Sequence, residues 1–82
     1  MQVTVIGPEA SLFKGEADAV TAPAYDGQVG ILSSHAPFMT LLGTGVLTVK
    51  HGQEEHRFTV QGGFLQVVSN RVRGVAEQVA PA

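Results

Sequence analysis

Eighty-two residues suffice for one domain at most, and a chain this short buries roughly 60 to 65% of its unfolded surface. With no cysteine, a disulfide framework and a thiolate metal site are both excluded. A formal net charge of -2 with only five Lys plus Arg argues against a nucleic-acid partner, which needs a basic footprint.

The chain opens on Gln2-Val3-Thr4-Val5-Ile6, an alternating, β-branched run that predicts a strand with Val3 and Val5 on one face. It has neither the cationic start nor the apolar core of a secretory signal, and no later run approaches the roughly 18 apolar residues of a membrane span. The sequence thus predicts a soluble protein linked to a membrane only through a partner. Gly7-Pro8-Glu9 is turn chemistry. Ser11 to Lys14 predicts a second strand closed by Gly15. Glu16 to Ala22 predicts a third, with Glu16, Asp18 and Val20 on one face, ended by Pro23. Tyr25-Asp26-Gly27 predicts a turn, Gln28 to Leu32 a strand, Ser33-Ser34-His35 a loop, and Phe38 to Leu42 an apolar strand before a tight turn at Gly43-Thr44-Gly45.

Val46 to Val60 reads as a hairpin. A tip at Gln53-Glu54 puts Val49 opposite Phe58, Leu47 opposite Val60 and His51 opposite His56 on one face. Lys50 then faces Arg57, a like-charge pair unfavourable by about 0.5 kcal/mol. Gly62-Gly63 is expected to break the strand, with Phe64 to Val68 forming another. Ser69-Asn70 turns the chain, because Asn tolerates the left-handed conformation. Arg71 to Ala76 then makes the last strand, with Val67 opposite Val72 and Glu77 to Ala82 left as a tail. No 3.6-residue apolar stripe with caps occurs. The expected fold is all-β: a small two-sheet β-sandwich of about eight to ten short strands over residues 1–77, with 78–82 as a tail.

Catalytic chemistry finds little support. Ser33 or Ser34 with His35 and Asp26 is the one conceivable triad, but neighbouring residues in an extended loop point apart and no Gly-x-Ser-x-Gly elbow is present. Glu16 and Asp18 on one strand face read as a solvated face before an acid-base pair. His51 and His56 with Glu54 or Glu55 could hold a metal across the hairpin, yet zinc sites usually draw on more than one element. No catalytic residue, cofactor or metal site is assigned. The glycines read chiefly as turns and bends, while Gly27 and Gly30 could also let a partner approach the backbone.

Several segments, in order, carry a family resemblance: Val5-Ile6, Pro8-Glu9, Leu12-Phe13, Gly15-Glu16-Ala17, Ala22-Pro23, Gly27-Gln28-Val29-Gly30-Ile31-Leu32, His35-Ala36-Pro37, Leu41-Leu42, Gly45-Val46-Leu47 and Gly62-Gly63-Phe64-Leu65-Gln66-Val67. Through them the chain resembles the N-terminal β-sandwich domain of the F-type ATP synthase epsilon subunit, called delta in mitochondria. The resemblance implies a non-catalytic rotor subunit of the central stalk, coupling proton flow to ATP synthesis at alpha and beta subunits elsewhere. It implies docking on the gamma subunit through Val5, Ile6 and Gly7, and on the ring of membrane-embedded c subunits through Gly27, Gln28, Val29, Gly30, Ser33 and His35. It also implies a peripheral place on the cytoplasmic face of a bacterial inner membrane, or its thylakoid or mitochondrial equivalent.

The chain departs from the family at Gln28, where many members carry Glu, at Ser33-Ser34, where Pro-Gly is common, and at Gly74, where an apolar residue is usual and a weaker last strand is expected. Many bacterial members continue into two helices that act as an inhibitory latch and in some bind ATP. No such hairpin is expected within these residues, and neither role is ascribed to them. The competing readings are a ligand- or metal-binding module of cupin type, using His35, His51 and His56, and a self-associating structural domain. Low charge, 15% against a usual value of about 25%, favours a surface partly covered in the working state.

Overall fold

A computed structural model describes residues 1–34 and 36–82. Among the described residues eight strands follow one another: β1 (Gln2–Ile6), β2 (Ser11–Glu16), β3 (Ala19–Ala24), β4 (Gly27–Leu32), β5 (Phe38–Leu41), β6 (Thr44–His51), β7 (Glu54–Val68) and β8 (Arg71–Pro81). They form a continuous hydrogen-bonded sheet in the order β2-β1-β8-β7-β6-β3-β4, with β5 also pairing β7. The sheet folds over on itself, so two layers share their longest strands. The first half of β7 pairs with β6, and its second half, Phe64 to Val67, pairs with β5. Phe13 of one layer meets Phe58 of the other edge to face, ring centroids 6.3 Å apart. The all-β sandwich read from the sequence is the observed architecture.

The corner lies at Gly62-Gly63. Both glycines have positive φ, 68° and 103°, a region that side chains disfavour. A Cβ on Gly63 would overlap the Val75 carbonyl oxygen on β8. The expected break is therefore a bend. β7 runs unbroken for 15 residues, because its register with β8 is the same on either side of the glycines, Gln61 opposite Gln78 and Gly63 opposite Ala76. β8 likewise runs past Ala76 to Pro81, which pairs with Phe58, so residues 77–81 are strand where a tail was expected.

Period-2 alternation buries Val3 and Val5, Leu47 and Val49, Phe58 and Val60, Leu65 and Val67, and adds Val20, Ile31 and Val72 in a wholly apolar core. Val67 faces Val72, as the pattern requires. The β6–β7 hairpin departs from its expected register by two residues: its tip is Gly52-Gln53, Leu47 faces Phe58, Val49 faces His56 and Lys50 faces Glu55. Gly52, with φ 62°, supplies the positive φ that a two-residue hairpin turn needs at its first central position. A shift of two leaves each side chain on its expected face, so the core is unaffected, and the Lys50–Arg57 repulsion does not arise.

Two further differences concern β3. Pro23 lies inside the strand, opposite Gln28, because β6 pairs only as far as Thr21 on the other side and the missing donor breaks no ladder there. The alternation from Glu16 also fails: Ala17 and Val20 are both buried, since the chain crosses between layers at Ala17-Asp18. Glu16 lies 3.4 Å from the amino terminus, while Asp18 accepts the Gly52 N–H at 2.6 Å. The two carboxylates thus serve separate contacts. Finally, Thr44 and Gly45 belong to β6, and the expected tight turn there narrows to Gly43.

Gly74 is buried in β8 with ordinary backbone angles, and a Cβ there would rest 3.5 Å from Leu65 and 3.6 Å from Leu47. Gly74→Ala should raise stability by about 0.5 to 1 kcal/mol, read from the urea midpoint, because the alanine restricts the unfolded chain and fits without displacement.

Candidate functional site

Among the described residues, three of the six large apolar side chains left exposed, Tyr25, Met39 and Leu41, gather at one end of the sandwich, while Leu12, Leu32 and Val68 lie elsewhere. There the β3–β4 turn at Tyr25-Asp26 meets the chain between β5 and β6. The Tyr25 N–H donates to the Leu41 carbonyl at 3.0 Å, and the Gly43 N–H donates to the Pro23 carbonyl at 2.7 Å. A backbone bridge between Ala24 and Leu42 completes the joint. A Cβ on Gly43 would stand 3.1 Å from the Ala24 carbonyl oxygen, so the close approach of these segments favours glycine there.

A groove of about 610 Å³ opens between β4 and β5 from this joint, lined by Tyr25, Gln28, Val29, Phe38, Met39 and Leu41 among others. Tyr25 is 69% exposed, Met39 62% and Leu41 61%. Large apolar side chains clustered around a concavity mark an interaction surface more often than isolated ones do. Among the described residues, Asp26 is the one charged residue in the lining.

The six residues assigned to the ring side do not share one place. Gly27, Gln28 and Val29 line the groove, but they belong to β4 and not to a loop. Val29 packs against the core. Gly30 points to the outer face of its layer, opposite Thr21, and Ser33 lies beyond the far end of β4, about 20 Å from Gly27 at roughly 3.3 Å per residue. His35 lies outside the described residues. Gly30 has no internal reason to be glycine: its φ is ordinary and no atom comes within 4 Å of where a Cβ would stand. Sequence reading missed Met39 and Leu41 as surface residues, because an apolar residue in a strand is first assigned inward; Tyr25 was read as part of a turn, and that turn was the available signal.

The gamma-side residues divide as well. Val5 is 1% exposed and faces the core. Ile6 points outward, in a row with Val75, Phe64 and Leu41 across β1, β8, β7 and β5. Gly7 gives room to Val79, whose Cγ1 would meet any Cβ added there. Asn70 ties that layer to the end of β4: its side-chain oxygen accepts the Ser34 N–H at 2.7 Å and its carbonyl accepts the Gln2 N–H at 3.2 Å. Its φ of 60° fulfils the expected left-handed turn.

Other chemistry is not assembled. Asp26 and Ser33 stand at opposite ends of β4, so the carboxylate and the serine of the conceivable triad are a strand's length apart; its histidine, His35, lies outside the described residues. His51 faces Glu54 and not His56. His56 instead packs on the Phe13 ring, centroids 4.9 Å apart, with Glu54 at 3.8 Å. Among the described residues no three of His, Cys, Asp and Glu come together as metal ligands, and no polar or charged side chain is buried.

The family model described as ATP synthase, Delta/Epsilon chain, beta-sandwich domain, matches residues 1–82. A protein named ATP synthase epsilon chain from Caulobacter vibrioides is 42% identical over the whole chain, which spans 95% of that relative. One of the same name from Leptospira borgpetersenii is 43% identical over 72 residues, 88% of this chain and 57% of that relative. The chain thus spans little more than half the length of several relatives. Among solved structures, a chain of the Euglena gracilis mitochondrial ATP synthase superposes with a TM-score of 0.88 at 24% identity, over 96% of this chain and 51% of that one, which establishes the shared fold.

Proposed function

We infer a place in a rotary assembly from one established premise: the chain belongs to the ATP synthase delta/epsilon family, in its β-sandwich domain. The proposed role is that of a non-catalytic subunit of the central stalk. It docks the gamma subunit to the c-ring and helps couple proton flow to ATP synthesis, which alpha and beta subunits carry out. Its position is peripheral, on the cytoplasmic face of the membrane that holds the ring. Two structures with this fold support the reading: one contains F1 and the c-ring, the other the central stalk and c-ring of Tetrahymena thermophila, at a TM-score of 0.81.

The single observation that carries the docking role is the exposed apolar groove at Tyr25, Met39 and Leu41, which fits the ring side. The outward row of Ile6, Val75 and Phe64 fits the gamma side, with Leu41 at the border between the two surfaces. An interface of standard size removes about 800 Å² per partner, roughly a sixth of the chain's 4769 Å². A body this small therefore gains substantially from being covered.

The test is co-purification with gamma, and with gamma plus c-ring, in mild salt. Wild-type chain should be retained and should add no ATPase activity of its own. Gly30→Val should melt like the wild type, since open space surrounds the position, yet assemble at least about threefold more weakly if a partner's backbone approaches there. Absence of wild-type chain from both complexes would refute the stalk role. Equal loss of folding and assembly in Gly30→Val would make the glycine purely structural.

A further inference from the structure

The outer face of the layer formed by β2, β1, β8 and the second half of β7 is a shallow dish of about 1120 Å³. Cross-strand pairing sets Lys14, Thr4, Arg73 and Gln66 in one row. Gln2 and Arg71 stand side by side in the next row. The dish therefore holds three of the chain's five cationic residues and one of its seven acidic ones, Glu16. That carboxylate is turned to the amino terminus, 3.4 Å away. Among the described residues, Lys14, Arg71 and Arg73 form no ion pair. In a chain of net charge -2, this is a segregated positive surface, whose cations outnumber its one carboxylate three to one.

We propose that this dish binds a carboxylate-bearing segment of a protein partner, with Arg71, Arg73 and Lys14 as its charge-reading residues. The partner's identity, the gamma subunit, rests on the stalk role proposed above. The chemistry favours carboxylates on a polypeptide. Arginine forks pair with them bidentately, and the Gln2 and Gln66 amides beside them can donate further hydrogen bonds. The apolar row of Ile6, Val75, Phe64 and Leu41 borders the cations on the same face. An apolar strip with a charged margin is the anatomy of a protein interface, and a flat lipid headgroup layer would not fill a concave surface. The charges set register and association rate, while the strip carries the burial.

The test uses full chain and its gamma subunit, titrated at 50 and 300 mM KCl, with the Lys14→Gln/Arg71→Gln/Arg73→Gln triple variant beside it. All three side chains are exposed, and matched thermal melts verify that the variant folds. Wild-type affinity should fall about tenfold or more with salt. The variant should bind at least about tenfold more weakly at low salt and lose most of the salt dependence. The Lys14→Arg/Arg71→Lys/Arg73→Lys variant should retain the salt dependence.

Unchanged affinity and salt response in the glutamine variant would overturn the proposal and leave the stalk role standing. If wild-type chain binds neither gamma nor gamma plus c-ring, the stalk role falls, and poly-L-glutamate decides the rest; if it binds only gamma plus c-ring, the same titration is read on that complex. Binding to it that the glutamine variant loses sustains the dish as a carboxylate site; equal binding by both overturns it. Phosphatidylglycerol vesicles bound through these cations, with gamma binding untouched, would overturn it in favour of a lipid surface.

Discussion

Gly63→Ala should leave the chain largely unfolded. The position combines φ 103° with a Cβ that would overlap the Val75 carbonyl, and the Ala76 Cα lies 2.8 Å away. Both obstacles are backbone in the facing strand, so no rotamer change relieves them. Separating β7 from β8 at the corner would open the widest ladder in the fold. A loss of at least about 4 kcal/mol is expected, comparable with the whole stability of a domain this size, about 4 to 12 kcal/mol. Gly27→Ala is the control. Its φ is also positive, 133°, but no atom lies within 4 Å of its Cβ site, so it should cost only the backbone strain, about 1 to 2 kcal/mol. Urea titration followed by circular dichroism separates the two. A Gly63→Ala protein within 1 kcal/mol of wild type would show that the corner is not built this way.

The second large effect contrasts two leucines. Leu65 is fully buried where the layers meet; Leu41 is 61% exposed at the mouth of the groove. Leu65→Ala should cost about 3 kcal/mol, the loss of transfer free energy plus the cavity left in a close-packed core. Leu41→Asp should change stability by less than about 1 kcal/mol while weakening assembly with the gamma and c-ring complex at least about tenfold, because a charge then enters an apolar contact. Melts and pull-downs on the same preparations distinguish these effects. A Leu41→Asp protein that assembles normally would remove the groove from the interface.

The core was legible where alternation is clean. Val3 with Val5, and Leu47 with Val49, could be assigned inward from the sequence, and an error of two residues in the hairpin register did not disturb them. Strand ends were less legible. Gly62-Gly63 and Pro23 are usually breakers, and here tertiary pairing overrides them: one doublet is a bend in a continuous strand, and the proline sits where its missing donor costs no bond. The site was partly legible. The β4 glycines drew notice, but which residues share a surface depends on how the layers fold over, and that is not a local property. Ser33 and Gly27 look close in the sequence yet stand a strand's length apart, whereas Tyr25 and Leu41 are brought together by one backbone hydrogen bond. The cations of the dish come from two distant segments, Lys14 in β2 and the Arg71, Arg73 pair in β8, and β1 assembles them by pairing antiparallel with β2 and parallel with β8.

Because β7 and β8 pass through both layers, the layers are joined by covalent chain as well as by side-chain packing. A sandwich of two separate sheets can slip in shear by sliding one hydrophobic face over the other. Here any such sliding must stretch or bend two peptide backbones at the glycine corner. A force applied at the groove end therefore travels along strands to the opposite face with little internal give. Mechanical unfolding should accordingly appear as one rupture, without an earlier event in which one layer peels from the other.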